Sequence, residues 1–418
     1  MKERKNMNVT NDIKKTFNNP FTALKHKNFR YYWIGMCVSL IGTWMQNIAQ
    51  PWLAYTLTNS PFLLSLIGIA QFTPMLIFSL FAGVVIDKFP KKKILLFTQS
   101  ASLVITLILA ILVWTGKVQY WHILIMATAL GIVNTVDMPS RQSVIIELVG
   151  KEDLMNAIAL NSMVFNLARI VGPAIAGIVM GYAGIAICFF VNAISFCAVV
   201  ISLLFIKLNS VVKKSKDNAR VLEEIKDGLK YIYDKKILLY TTLILTIVGT
   251  FAPNFNVLVP VFAKEILNQN EAGFGILMSF MGFGSFLGAM FIATLSKSGP
   301  KKFIVYVVPL IVGAALIITG YSNVYLLTGI FLAVTGFFFI AFTSSANSTL
   351  QLNSSNEYRG RVMSVYTLVF SGSTPVGNLY AGLFAEHFSA RVGFAACGGI
   401  IILLMIPLLL AKERLKIS

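Results

Sequence analysis

The chain has 418 residues, 56% hydrophobic and only 12% charged. Soluble domains carry roughly a quarter charged residues, so a water-facing surface is excluded. The net charge of +18, from 35 Lys and Arg against 17 Asp and Glu, would suit a nucleic-acid partner, but its distribution along the chain excludes that too.

Apolar stretches of the roughly 20 residues that cross a bilayer recur along the chain, at 31–57, 61–86, 94–115, 120–141, 156–182, 184–206, 237–263, 273–295, 302–321, 323–348, 361–386 and 392–411. The expected fold is an all-α membrane protein of twelve transmembrane helices in two six-helix halves. An N-terminal arm (1–30) precedes the first bundle (31–206). A linker (207–236) then leads to the second bundle (237–411) and a short tail (412–418). In the linker, Leu222, Ile225, Leu229 and Ile232 recur at helical spacing, which predicts an amphipathic helix on the membrane surface, serving at least as a tether. The charged arm lacks the early apolar core of a cleavable signal, so the first span is expected to act as an uncleaved insertion signal.

With both termini in the cytoplasm, every Lys and Arg falls on the cytoplasmic side except Lys117, Lys264, Arg391 and the intramembrane Arg169. The positive-inside rule therefore sets the topology in the cell membrane. Cys37, Cys188, Cys197 and Cys397 all lie in apolar helices without metal-ligand spacing and read as packing residues. The histidines His26, His122 and His387 sit at span ends.

The two halves echo each other. Phe165 and Gly177 of the fifth span recur as Phe370 and Gly382 of the eleventh, each 205 residues on. Both spans carry a mid-helix proline (Pro173, Pro375) and small residues four apart: Ala168, Gly172 and Ala176, and Pro173, Gly177 and Gly181, against Ser373, Gly377, Ala381 and Ala385. Such ladders let helix backbones approach closely, and parallel repeats are a transporter signature with substrate bound between them.

Between spans 2 and 3 lies Gly83-Val-Val-Ile-Asp87-Lys88-Phe-Pro-Lys91-Lys92-Lys93. It resembles the loop signature of the major facilitator superfamily, with Pro90 where the family often has Gly. The second-half counterpart, Gly288 through Lys302, has Ser296 in place of the acid. Two longer runs, Asp137 to Pro173 and Arg359 to Gly377, resemble the enterobactin-exporter and macrolide-efflux branch of the drug:proton antiporters. The resemblance implies alternating access, proton antiport, a monomeric transporter and a cytoplasmic gate formed by Asp137, Asp87, Lys88 and Arg141.

An ionised residue at the centre of a span costs at least about 2.5–3.5 kcal/mol on insertion scales, so those present need an explanation. Arg169, about 18 Å into the fifth span, shares a stripe with Ser162, Asn166 and Pro173. It either binds an anionic or oxygen-rich group of a substrate or pins the bundle through neighbouring amides. Asp137, placed only about 6 Å from the cytoplasmic end, is a gate residue or a proton carrier. The other candidates for the cavity are Gln46, Asn47 and Gln50 on the first span and Gln71 on the second. Asn254 and Asn256 flank Pro253, where a broken helix would expose carbonyls. Ser344, Asn347 and Ser348 follow on the tenth span. Ser364, Thr367, Ser371, Thr374 and Asn378 line the eleventh. Each alone is as readily interhelical glue. Trp44 is a stacking or a packing residue.

No phosphate-binding loop, zinc-protease motif or nucleophile elbow occurs, so neither an enzyme nor a cofactor or metal is expected. The reading is a secondary active exporter of small amphiphiles. With Arg169 in the cavity and no central acid, siderophore-like or phenolic and carboxylate molecules rank above cationic dyes, with macrolide-type efflux close behind. A lipid flippase or a non-transporting sensor on the same fold is the alternative of a different class.

Overall fold

Long apolar runs with few breakers form helices because a chain in lipid must satisfy its own backbone hydrogen bonds. The computed structural model describes residues 21–207, 219–295, 299 and 301–414, and among these it contains helices, turns and no strand. A short 3-10 turn, Thr22–Lys25, precedes six long helices. These are α1 (Lys27–Thr58), α2 (Pro61–Lys88), α3 (Lys91–Trp114), α4 (Tyr120–Val149), α5 (Leu154–Ala183) and α6 (Ile185–Phe205). The linker helix α7 covers Ala219–Asp234. The second half holds α8 (Lys236–Phe251), α9 (Phe255–Glu265), α10 (Glu271–Leu295), α11 (Lys302–Tyr306), α12 (Val308–Tyr321), α13 (Tyr325–Leu352), α14 (Arg359–His387) and α15 (Ala390–Arg414).

Two segments of the second half are broken. Pro253 parts α8 from α9, and the Asn254 amide donates to the Thr250 and Phe251 carbonyls that the break frees. The expected exposed carbonyls are thus covered. Pro309 marks the start of α12 after the one-residue interruption at Val307. Counting each broken pair once gives six segments on either side of α7. Nine of these are long and apolar enough to cross a membrane among the described residues. The exceptions are α1 and α14, which carry the polar stripes noted in the sequence, and the interrupted α11–α12 segment.

The turn from α1 to α2 shows how sequence sets these ends. Asn59 takes the left-handed conformation (φ 48°) that stops α1, the Ser60 hydroxyl accepts from the Leu63 amide, and Pro61 opens α2 where its missing N–H costs nothing.

Within each half the packing repeats. α3 lies against α6, and α12 against α15, as the outermost pairs. The halves meet along two seams, α5 with α10 and α2 with α14. Both seams depend on glycine. A Cβ on Gly177 would lie 2.9 Å from the Glu271 carbonyl oxygen and 3.1 Å from Ala272 Cα. One on Gly382 would lie 2.5 Å from Ser65 Oγ and 3.0 Å from the Pro61 carbonyl oxygen. The two glycines that the sequence repeat pairs therefore perform the same task, each admitting the first turn of the other half's second segment.

The linker helix docks on the second half. Tyr231 stacks on Tyr358 (4.3 Å, 3°), and Asp227 pairs with Arg361 at 3.2 Å. The Tyr231 hydroxyl meets Ser355 and receives Lys235 Nζ at 2.7 Å, which pulls its pKa down to about 8. Ile232 is buried beneath it, whereas Leu229 and Tyr233 stay exposed, in keeping with a helix at a lipid surface.

Replacing Gly382 by Val should part the α2–α14 seam and lower the melting temperature of the purified protein, because Ser65 and the Pro61 backbone cannot both yield. An unchanged melting temperature would show that the seam is looser than the contacts require.

Candidate functional site

The helix faces define a passage between the halves. At 100° per residue, Ser162 and Arg169 lie between the side of α5 that packs on α1 and the side that packs on α10. Along this stripe, Ser162 is exposed, Asn166 and Arg169 are half-buried, and Pro173 and Gly177 are buried. Leu167 and Ile178, on the opposite face, are both exposed, as lipid-facing residues are. The stripe on α14 behaves alike. Ser364 and Thr367 are exposed, Thr374 is half-buried, and Asn378 is buried. The passage is thus open at the end carrying Lys88, Lys91 and Arg141, the basic end, and closes at the depth of Arg169 and Thr374.

Arg169 stands at this closed apex. Its Nη2 donates to Asn166 Oδ1 at 2.9 Å, and Asn166 in turn donates to the Ser162 carbonyl at 2.8 Å. Its buried Nε has no acceptor among the described residues. Desolvating a guanidinium with one neutral partner is unfavourable, and the arrangement leaves donors with which an oxygen-bearing anion could pair. Trp44 meets Phe165 edge-on (5.8 Å, 68°) on the neighbouring wall, with its Cβ pressed on Gly172.

Other candidates lie elsewhere. Gln46 and Gln50 are buried inside the first half. Gln46 donates to Gln50 at 3.3 Å and accepts from Thr106 of α3 (3.3 Å) and Asn192 of α6 (2.5 Å). That turns Gln46 toward the peripheral pair and away from the passage, a correction to the sequence expectation. Asn254 serves the α8–α9 break, and Asn378 is buried against Gly68 of α2, so both hold helices together. Asn347 is half-buried and accepts from Gln351 at 2.6 Å. Asn47 is half-buried on α1, and Gln71 is half-buried on α2, where the backbone packs on Gly131 of α4. The side chains of Ser371, Gly83 and Asp87 fall outside the described residues.

α4 runs on to Val149, so Asp137 is roughly 18 Å from the basic end of its helix, and Arg169 is roughly 22 Å from the start of α5. The two still do not pair. Asp137, 2% exposed, accepts from Arg141 Nε (2.5 Å), Thr98 (2.6 Å) and Gln99 (2.8 Å), which seals it between α3 and α4. The loop signature binds its own half as well. Lys91 pairs with Glu147 at 2.6 Å, and Lys92 Nζ caps the end of α6 through the Ile206 carbonyl at 2.7 Å. Lys88 is exposed at the last turn of α2.

The end opposite the basic one is latched by three carboxylates of the second half, which sequence reasoning missed. Glu265 accepts from the Tyr55 hydroxyl, and Glu271 accepts from Trp52 Nε1 at 3.2 Å. Trp52 also stacks on Phe274 (5.4 Å, 17°). Glu386 takes both the Ser60 hydroxyl (2.8 Å) and the Phe62 amide (3.0 Å), capping the N-terminus of α2 from across the seam. Lys264 donates to Asn59 Oδ1 at 2.9 Å. The available signal was positional: each acid opens or closes a span beside an aromatic-rich turn.

A family model described as transmembrane secretion effector matches residues 18–417. The staphyloferrin A transporter of Staphylococcus aureus is 25% identical over 395 residues, covering 93% of this chain and 97% of its own. The multidrug efflux pump Tap of Mycolicibacterium fortuitum is 23% identical over 363 residues, covering 85% and 88%. In fold, the chain is similar to a variant of the nucleoside transporter NupG, with a TM-score of 0.76 at 12% identity over 91% of this chain and 99% of that one.

Two outcomes follow from this geometry. Asp137→Asn should strand Arg141 and destabilise the protein by about 3 kcal/mol or more, with Asp137→Asn/Arg141→Gln recovering most of the loss in thermal melts. A stable Asp137→Asn protein that loses only proton dependence would make Asp137 the carrier instead. Glu386→Ala should speed hydrogen exchange at the α2 N-terminus, as removal of a cap worth about 1 kcal/mol requires. Unaltered exchange there would rule out Glu386 as a latch.

Proposed function

Because the chain belongs to the transmembrane secretion effector family of the major facilitator superfamily, we propose that it exports small amphiphilic molecules bearing an anionic group. It works by alternating access, with the basic end in the cytoplasm and both termini on that side. The positive-inside rule supports this orientation. The passage then opens inward and loads cargo from the cytoplasm, while the three-carboxylate latch closes the outside.

The observation that carries the reading is Arg169: a cation at the blind end of the passage, with one amide partner and an unmatched Nε. A carboxylate or phenolate on the cargo supplies the missing acceptors as a charge-assisted pair. Release follows when the latch parts and the inner mouth closes, because the site then faces water on the other side. One chain holds both walls, which supports a monomer as the working unit. Proton antiport as the energy source rests on the family resemblance. Asp137 enters as the fixed anion of a charge pair, since three partners hold it away from the passage.

Siderophore-like cargo is favoured by Arg169 together with the likeness to a staphyloferrin A transporter. Drug efflux is the second reading, favoured by the likeness to Tap. The test is uptake by inside-out proteoliposomes under an imposed pH gradient, using carboxylate chelators, catecholates, a macrolide and a cationic dye. Anionic chelators should accumulate, and Arg169→Gln should cut their transport by about tenfold or more while sparing neutral cargo. Undiminished anion transport by Arg169→Gln would return Arg169 to a structural role.

A further inference from the structure

A single sequence offset relates α5 to α14 at three separate places. Phe165 and Phe370 are 205 residues apart, as are Gly172 and Gly377, and Gly177 and Gly382. The spatial environments match. Gly172 presses on Trp44 of α1, the first helix of its half, and Gly377 presses on the Thr250 carbonyl of α8, the first helix of the other (a Cβ placed at either would come within 2.5 Å). Gly177 and Gly382 each meet the opening turn of the opposite half's second segment. The same offset carries Ser162 onto Thr367 and Arg169 onto Thr374. Exposure follows it as well: Ser162 and Thr367 are exposed, Arg169 and Thr374 half-buried, Pro173 and Asn378 buried.

The blind end of the passage therefore presents a guanidinium on one wall and a neutral hydroxyl at the equivalent depth on the other. The walls differ in a second respect. One turn from Thr374, the Phe370 ring lies between Tyr366 (5.9 Å, 3°) and Phe339 (6.5 Å, 25°), all three half-buried. At the positions the offset assigns to Tyr366 and Phe339, the first half has Asn161 and Asn134. The first half thus adds the charge, with the Trp44–Phe165 pair beside it, and the second half adds a longer run of stacked rings without a charge.

Resting on the anionic reading of Arg169, we infer that Arg169 and Thr374 are paired specificity positions of one site for an aromatic monoanion. The anionic group pairs with Arg169, the ring lies along Phe370 and Tyr366, and a neutral polar group meets Thr374. A cation would face Arg169 unpaired. Because the two positions are equivalent, the cation can be transferred between walls without losing the charge preference.

Full-length protein in liposomes would be titrated with 2-naphthoate and 2-naphthamide, which share a ring and differ in charge. Wild-type protein should bind the naphthoate about tenfold or more tighter. Arg169→Thr should abolish that preference, and Arg169→Thr/Thr374→Arg should restore it. A double variant that melts like the wild type yet stays indifferent to charge would overturn the pairing while leaving the anionic reading intact. If wild-type protein shows no preference for the naphthoate, the anionic reading falls and the pairing with it. Independently of folding in the charge variants, Arg169→Cys and Thr374→Cys, with the native cysteines replaced, should react at similar rates with an impermeant thiol reagent applied at the basic end. Labelling of position 169 alone would also refute equivalent depth.

Discussion

The close backbone approach along two glycine-dependent seams is the constraint from which the rest follows. Lipid offers no hydrophobic drive between helices, so association depends on packing, and glycine lets α5 meet α10 and α2 meet α14 with little between them. Close contact runs along the outer part of both seams, and toward the basic end Ser162, Ser364 and Thr367 are exposed. A passage that is blind at one end and open at the other is the geometric result. The carboxylate latch is then an addition to a closure that shape already makes, which is why its members reside at helix ends and not in the middle of the seam.

Polar groups in this molecule fall into two populations. Gln46, Asn192, Thr106, Asp137, Arg141 and Thr98 hydrogen-bond one another within the first half, and the Gln99 amide nitrogen joins them at Asp137 while its Oε1 has no partner among the described residues. Arg169 lies outside that network. Its Nε has no acceptor among the described residues, as is true of a few other buried polar atoms, and what sets it apart is the cation it belongs to and its place where the passage ends.

Much of this was legible in the chain. Span positions followed from apolar runs, and the twofold relation followed from Phe165 and Gly177 recurring as Phe370 and Gly382. The stripe through Ser162, Asn166 and Arg169 was readable because polar residues on one helix face are rare in lipid. The direction of Gln46 was not, because the polar residues of α1 are spread around the helix and give little contrast between core and passage. The full length of α4 was not legible either, because the helix runs on past its apolar stretch to Val149. The latch was hidden for a different reason. Glu265 and Glu271 find their partners in α1 and Glu386 at the start of α2, far away in sequence, and no local pattern encodes such a pairing.

The self-contained network of the first half bears on how the protein is made. Asp137, Arg141, Lys91, Glu147 and Lys92 draw all of their named partners from α1, α3, α4 and the end of α6. Once the ribosome has passed Ile206, the named partners of those charges have all been made, while the second half is still being synthesised. The linker helix, by contrast, is tied to Tyr358 and Arg361 and must wait for them. The contacts between the halves, in turn, require both α10 and α14 to have been made.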